Sequence, residues 1–222
     1  MCRMYVRAGA HTVVATPHML HPDFDVPAGA VRDAVRDLQD ACRREGIDIE
    51  ILPGAELRLE PGLLSAVEEQ KVLSLADGAR FLLVELPYQL VPPIEDLIFE
   101  LALRKKIVII AHPERNVELA RRPGRLEQLV GAGCLAQVTL KSMLGKPGRM
   151  ARKAARRFLE RDLVHMIGTD AHRAWPVGRL RDQLAYVTGL VGVEKAGELL
   201  FENPMRILKG ERIEAHVGAG SR

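Results

Sequence analysis

The chain has 222 residues, 47% of them hydrophobic and 27% charged, and a formal net charge of +3. That length can bury one sizeable core, and that composition excludes disorder over most of the chain. The three cysteines form no CxxC pair and no uncharged apolar run reaches the ~18 residues of a membrane span, so a disulfide scaffold and membrane insertion are set aside. No apolar stretch follows Arg3 and Arg7, so no signal peptide is read and a cytoplasmic protein is expected. The mild basic balance comes without clusters of aromatic and basic residues, so nucleic acid is not the expected partner.

Residues 1–10 read as the end of a helix. After them, short apolar runs alternate with helix-length stretches. Strands are predicted at 11–16, 49–57, 81–86, 107–111, 135–139 and 164–168. They are β-branched or Leu-rich and nearly unbroken, as strands of a parallel sheet buried on both faces should be. Helices are predicted at 28–45, 61–70, 92–104, 125–132 and 148–161, then at about 177–189 and 193–201. Pro61 and Pro92 are placed in first helical turns, where proline is tolerated. Residues 1–209 read as one domain and 210–222 as a flexible tail. In the helix at 148–161, Arg149, Arg152, Lys153, Arg156 and Arg157 are expected to form a solvated face, with Met150, Ala154, Ala155, Phe158 and Leu159 on the buried side.

Alternating β and α elements imply an α/β fold with a parallel sheet. Five strand ends carry an acid or an imidazole: His18, Glu56, Glu85, His112, and Asp170 with His172. An open sheet focuses function at one switch point, whereas a β/α barrel gathers all strand ends at one mouth. The distribution favours the barrel.

Imidazoles and carboxylates without thiolate form a ligand set for Zn, Mn or Fe, and a carboxylate such as Glu56 can bridge two ions. Taken singly, each residue has an ordinary structural alternative. Glu85 lies inside an apolar run, where a buried carboxylate needs a metal, an Arg or a hydrogen-bond network. His21 is read as surface, and His11, His165 and His216 have no comparable context. Arg115, three residues after His112, and Arg179, seven after His172, present planar forks suited to phosphate oxygens, so an anionic substrate is expected. No cysteine is followed by Arg six residues on, and no P-loop or GxSxG elbow occurs.

VVATPH, LPGAELRL, LLVELP, AHPERN, GTDAH and ENPMRIL occur in that order between about Ala8 and Leu208. In this the sequence resembles the bacterial PHP-family protein-tyrosine phosphatases of the CpsB/CapC/YwqE type. The resemblance implies a distorted barrel of seven β/α units and a manganese-preferring site of up to three ions. It implies metal ligation by His18, Glu56, Glu85, His112, Asp170 and His172, and phosphate contacts from Arg115 and Arg179. It also implies a bacterial tyrosine kinase of capsule or exopolysaccharide synthesis as the phosphotyrosine partner. The family opens with a strand bearing a His-x-His pair. No such pair occurs in this chain, so the first β-strand of the barrel is expected to be missing. Two other readings stand beside this one: another PHP phosphoesterase, such as a histidinol-phosphate phosphatase, and a catalytically impaired binding or regulatory protein.

Overall fold

The computed structural model describes residues 1–146, 148–174 and 177–213, with the side chains of 177–179 left aside. The strands are β1 (Thr12–Ala15), β2 (His18–Met19), β3 (Glu50–Pro53), β4 (Glu56–Arg58), β5 (Phe81–Glu85), β6 (Ile107–Ala111), β7 (Leu135–Thr139) and β8 (Met166–Gly168). All their pairings are parallel: β1 lies on β3, and a six-stranded sheet runs β2-β4-β5-β6-β7-β8. The strand order follows the chain and never reverses. The architecture is therefore α/β and parallel, without the reversal that marks a doubly wound sheet.

The predicted strand 49–57 is interrupted once, and the strand predicted at 11–16 is followed by a further short strand that was not predicted. The chain passes from β1 to β2 through Thr16-Pro17 and from β3 to β4 through Gly54-Ala55. A Cβ on Gly54 would lie 2.8 Å from Val14 Cγ1, so only glycine lets this crossing approach β1. The Glu56 amide donates to the Pro17 carbonyl at 3.0 Å, and the register of the two short strands sets His18 beside Glu56.

Period-two alternation divides each strand between two cores. Leu82 and Val84 face the helices and join the larger core. Phe81 and Leu83 face inward with Ile109, Ala111, Leu135 and Met166, and Ile207 and Ile213 complete this second cluster. Glu85 continues the inward row Phe81-Leu83. Leu83 is the register partner of Glu56, so both carboxylates share the inner face.

The helices are α1 (Cys2–Arg7), α2 (Ala28–Arg44), α3 (Leu63–Glu68), α4 (Glu95–Leu103), α5 (Val117–Arg121), α6 (Pro123–Gly131), α7 (Leu140–Met143), α8 (Arg149–Glu160), α9 (Val177–Val191), α10 (Val193–Gly197) and α11 (Asn203–Leu208), with a π turn at Glu198–Glu202. Pro61 and Pro92 are not in first turns: α3 starts at Leu63 and α4 at Glu95, so each proline ends the connection before its helix. In α8 the buried row is Ala151, Ala154, Ala155 and Phe158; Met150 lies on the exposed side.

Among the described residues no strand pairs with the outer flank of β1 and β2 or of β8. Helix α1 stands between these flanks. Tyr5 Oη lies 2.8 Å from Thr169 Oγ1 beyond β8, and Arg181 of α9 donates to the Arg7 carbonyl at 2.6 Å. No helix of the described residues is long and apolar enough to cross a membrane.

Candidate metal centre

His18, Glu56, Glu85 and His112 converge, but not all at C-terminal strand ends as the sequence suggested. Glu85 ends β5 and His112 follows β6, whereas His18 and Glu56 open the short strands β2 and β4, because the chain breaks at Thr16-Pro17 and Gly54-Ala55 just before them. One ligand atom each from His18, Glu56 and Glu85 lie within 4.8 Å of one another. His112 Nε2 is 2.8 Å from Glu56 Oε1 and 3.8 Å from Glu85 Oε1. The backbone explains how His112 gets there. Ala111 faces inward, so strict alternation would send His112 outward. Instead His112 leaves the strand in a left-handed conformation (φ 34°, ψ 53°), which turns the imidazole toward Glu56. Asp170 also has a positive φ of 46°. Such conformations are costly for non-glycine residues and persist only where the surroundings enforce them.

A buried and a half-buried carboxylate at this distance repel unless cations stand beside them. Glu85 Oε2 accepts a bond from Arg58 Nη1 at 3.2 Å, and Glu56 is met by His112. Burial pulls the His112 pKa down. The hydrogen bond to Glu56 and the charges of Glu56 and Glu114 outweigh burial and the opposing Arg115, so the pKa ends above the ordinary histidine value. His18 differs from the rest. Its Nδ1 is buried and has no hydrogen-bond partner. An imidazole with an unpartnered buried nitrogen, one of whose ring nitrogens lies within 4.8 Å of oxygens of two carboxylates, fits a divalent cation, since an ion would cancel the paired negative charge.

Asp170 and Arg115 form a second cluster. Arg115 Nη2 donates to Asp170 Oδ2 at 2.5 Å and to Thr139 Oγ1 at 3.3 Å. Lys141 Nζ donates to the Asp170 carbonyl at 2.5 Å and stands 3.9 Å from its carboxylate. Arg115 Nε is buried without a partner, which leaves it a free donor. His172 stays near Asp170, with Nδ1 3.1 Å from the Asp170 carbonyl oxygen, but its side chain is 67% exposed. The structure thus groups His18, Glu56, Glu85 and His112 in one network and Arg115, Asp170 and His172 in another. The Arg179 side chain lies outside the described residues.

Several residues at the site escaped the sequence reading. Glu114 is fully buried, and its Oε1 accepts bonds from Thr139 N and Oγ1, both at 3.0 Å, tying the turn after β6 to the end of β7. Asn116 caps α5 by accepting from the Leu119 amide at 2.8 Å and donates to the Pro87 carbonyl at 2.6 Å, fixing the loop after β5. Arg58 had a legible signal: it lies two residues after Glu56, on the same face of the strand. Lys141 and Thr139 had none, since each acts across a tertiary contact.

Comparison with known proteins agrees with this arrangement. Residues 1–209 match the family described as capsular polysaccharide synthesis, CpsB/CapC. The chain is 32% identical over 214 residues to the tyrosine-protein phosphatase YwqE of Bacillus subtilis (strain 168), covering 96% of this chain and 84% of that protein. It is 27% identical over 215 residues to the tyrosine-protein phosphatase CpsB of Streptococcus pneumoniae, covering 93% and 88%. It also superposes with a TM-score of 0.88 and 32% identity on a solved structure, covering 96% of this chain and 86% of that one. That structure comes from work on YwqE and CpsB, described there as unique metal-dependent tyrosine phosphatases. This chain belongs to the CpsB/CapC family.

Proposed function

We propose that the chain is a metal-dependent protein-tyrosine phosphatase. The observation that carries this reading is the convergence of a His18 ring nitrogen with carboxylate oxygens of Glu56 and Glu85 within 4.8 Å of one another. The site is held by His18, Glu56, Glu85 and His112, with Asp170 and His172 as further ligands, and manganese is the ion of choice, up to three in number. A divalent ion there supplies Lewis acidity and lowers the pKa of a coordinated water. Arg58 and the buried surroundings keep Glu85 and Glu56 in place. Asp170 holds Arg115 through Nη2, so Arg115 Nε remains to donate to a phosphoryl oxygen as negative charge accumulates there. Arg179 is proposed as a second phosphate contact.

The fold reading that goes with this is a PHP barrel wall lacking one strand unit. It is supported by the unreversed strand order and by the inward cluster under the site. Residues 1–209 form the catalytic domain, 210–222 a tail, and the cytoplasm is the setting, in keeping with three free cysteines. The substrate is a phosphotyrosine protein, a bacterial tyrosine kinase of capsule or exopolysaccharide synthesis.

The deciding experiment is aryl-phosphate hydrolysis with added Mn²⁺, with and without chelator. Chelator-sensitive turnover is expected, and chelator-resistant turnover would overturn the mechanism. The exposed His172, apart from the network of His18, Glu56, Glu85 and His112, favours one second reading, a phosphotyrosine-binding protein of low turnover. Metal-dependent binding of a phosphotyrosine peptide without its hydrolysis would select that reading.

A further inference from the structure

The loop after β2 builds its own small scaffold. Leu20 takes a left-handed backbone (φ 60°), and its amide donates to Asp25 Oδ1 at 3.1 Å. The Asp23 amide donates to His21 Nδ1 at 3.1 Å, and the Phe24 amide donates to the His21 carbonyl at 3.2 Å. These bonds lay the Phe24 ring against two imidazoles. Its centroid is 6.3 Å from that of His18, with 29° between the planes, and 5.2 Å from that of His21. Yet Phe24 is 59% exposed.

An exposed phenylalanine by itself needs no explanation. This one is stacked on His18, the residue that meets Glu56 and Glu85 in the candidate metal centre. In an aryl phosphate a single ester oxygen separates the ring from phosphorus. A phosphoryl group held at the site must therefore place its ring close by, and Phe24 offers an exposed ring stacked on one of the site's own residues, His18. Aromatic rings attract when offset-stacked or edge-to-face at centroid distances of about 4.5–7 Å. An alkyl phosphate offers no ring to that contact.

We infer that Phe24 selects aryl over alkyl phosphate esters, its exposed side receiving the phenyl ring of phosphotyrosine. This inference rests on the phosphatase reading and names a specificity residue for it. Phe24 takes no part in the chemistry; it binds the leaving group's ring.

The bonds that hold the turn come from the main chain and from His21 and Asp25, so Phe24→Ala preserves them. Two ratios are measured with Mn²⁺ present, for wild type, Phe24→Ala and Phe24→Tyr. One is kcat/KM for phenyl phosphate over glycerol 2-phosphate. The other is the calorimetric affinity for phenylphosphonate over methylphosphonate, neither of which is hydrolysed. Phe24→Ala is expected to lower both ratios about tenfold, and Phe24→Tyr to stay within about twofold of wild type. Unchanged ratios in Phe24→Ala would overturn the inference, as would a wild type that binds phenylphosphonate no tighter than methylphosphonate. A wild type without chelator-sensitive hydrolysis would instead sink the phosphatase reading, and the phosphonate ratio would still decide the role of Phe24.

Discussion

Glu56 Oε1 and His112 Nε2 stand 2.8 Å apart, tying β4 to the end of β6 across the intervening β5. Neither residue is free to leave the inner face: Glu56 is pinned by the hydrogen bond from its amide to the Pro17 carbonyl, and His112 by its own left-handed backbone, which leads into the 3-10 turn at Pro113–Arg115. The pair gives the candidate centre a rigid floor before any ion arrives. Such preorganisation makes metal binding and stability depend on each other.

Metal binding should therefore be visible as stability. At a free Mn²⁺ concentration 100 times the dissociation constant, a single site stabilises the fold by about 2.7 kcal/mol. For a chain of this size that corresponds to a rise of about 5–10 °C in Tm. Wild type should show the rise in a thermal melt, while His18→Ala and Glu56→Gln should lose most of it. A metal-independent melt of the wild type would remove the centre from consideration.

Arg115 is expected to matter through charge and through shape. Arg115→Ala should lower aryl-phosphate turnover by roughly 10²–10³-fold, the usual cost of one lost stabiliser of transition-state charge. Arg115→Lys should recover little of it, because an ammonium cannot hold Asp170 with one nitrogen and present a second, fixed donor. Full recovery with lysine, read from kcat, would show that the fork geometry is irrelevant.

Thr139→Val keeps the shape of the side chain and removes its hydroxyl. It deletes the bond from Thr139 Oγ1 to Glu114 and leaves a fully buried carboxylate with fewer donors. Urea unfolding should show a loss of about 1–3 kcal/mol at unchanged m value. A loss below about 0.5 kcal/mol would mean that the Glu114 network is not a structural tie.

The thiols should be irrelevant to the chemistry. Cys134 is wholly buried, and burial, aided by the charge of Glu95, pushes its thiol up to about 12. Burial, followed by a bond to Cys2, raises Cys42 as well. Iodoacetamide on the native protein should label the half-exposed Cys2 first, reach Cys134 only after unfolding, and leave metal-dependent hydrolysis intact. Activity lost in step with alkylation of one cysteine would point to a thiol nucleophile instead.

Much of the scaffold was legible because buried parallel strands are written in short apolar runs. The run FLLVE became β5 and IVIIA became β6, at or within one residue of the predicted ends. The short strand at His18–Met19 and the interruption at Gly54-Ala55 were not legible, since they answer to the pairing of β2 with β4 and the close approach of Gly54 to Val14. Helices α5 and α7 are too short to show a helical period, and their starts depend on side-chain caps from Asn116 and Thr139. Met150 fell on the exposed side of α8, where Ala151 takes the buried place beside Ala154, Ala155 and Phe158.

By itself, the sequence determined the alternation of elements, the parallel sheet and the placing of Glu85 and His112 at strand ends, because period and composition are local properties. It also showed that Glu85, within an apolar run, needed a compensating partner. Tertiary structure decided which partner: Arg58, one strand away. It decided too that Arg115 reaches Asp170 while His172 points largely to solvent. These outcomes depend on left-handed backbone at His112 and Asp170 and on contacts between loops far apart in the chain. Packing around those loops imposes such geometry, and no window of residues encodes it.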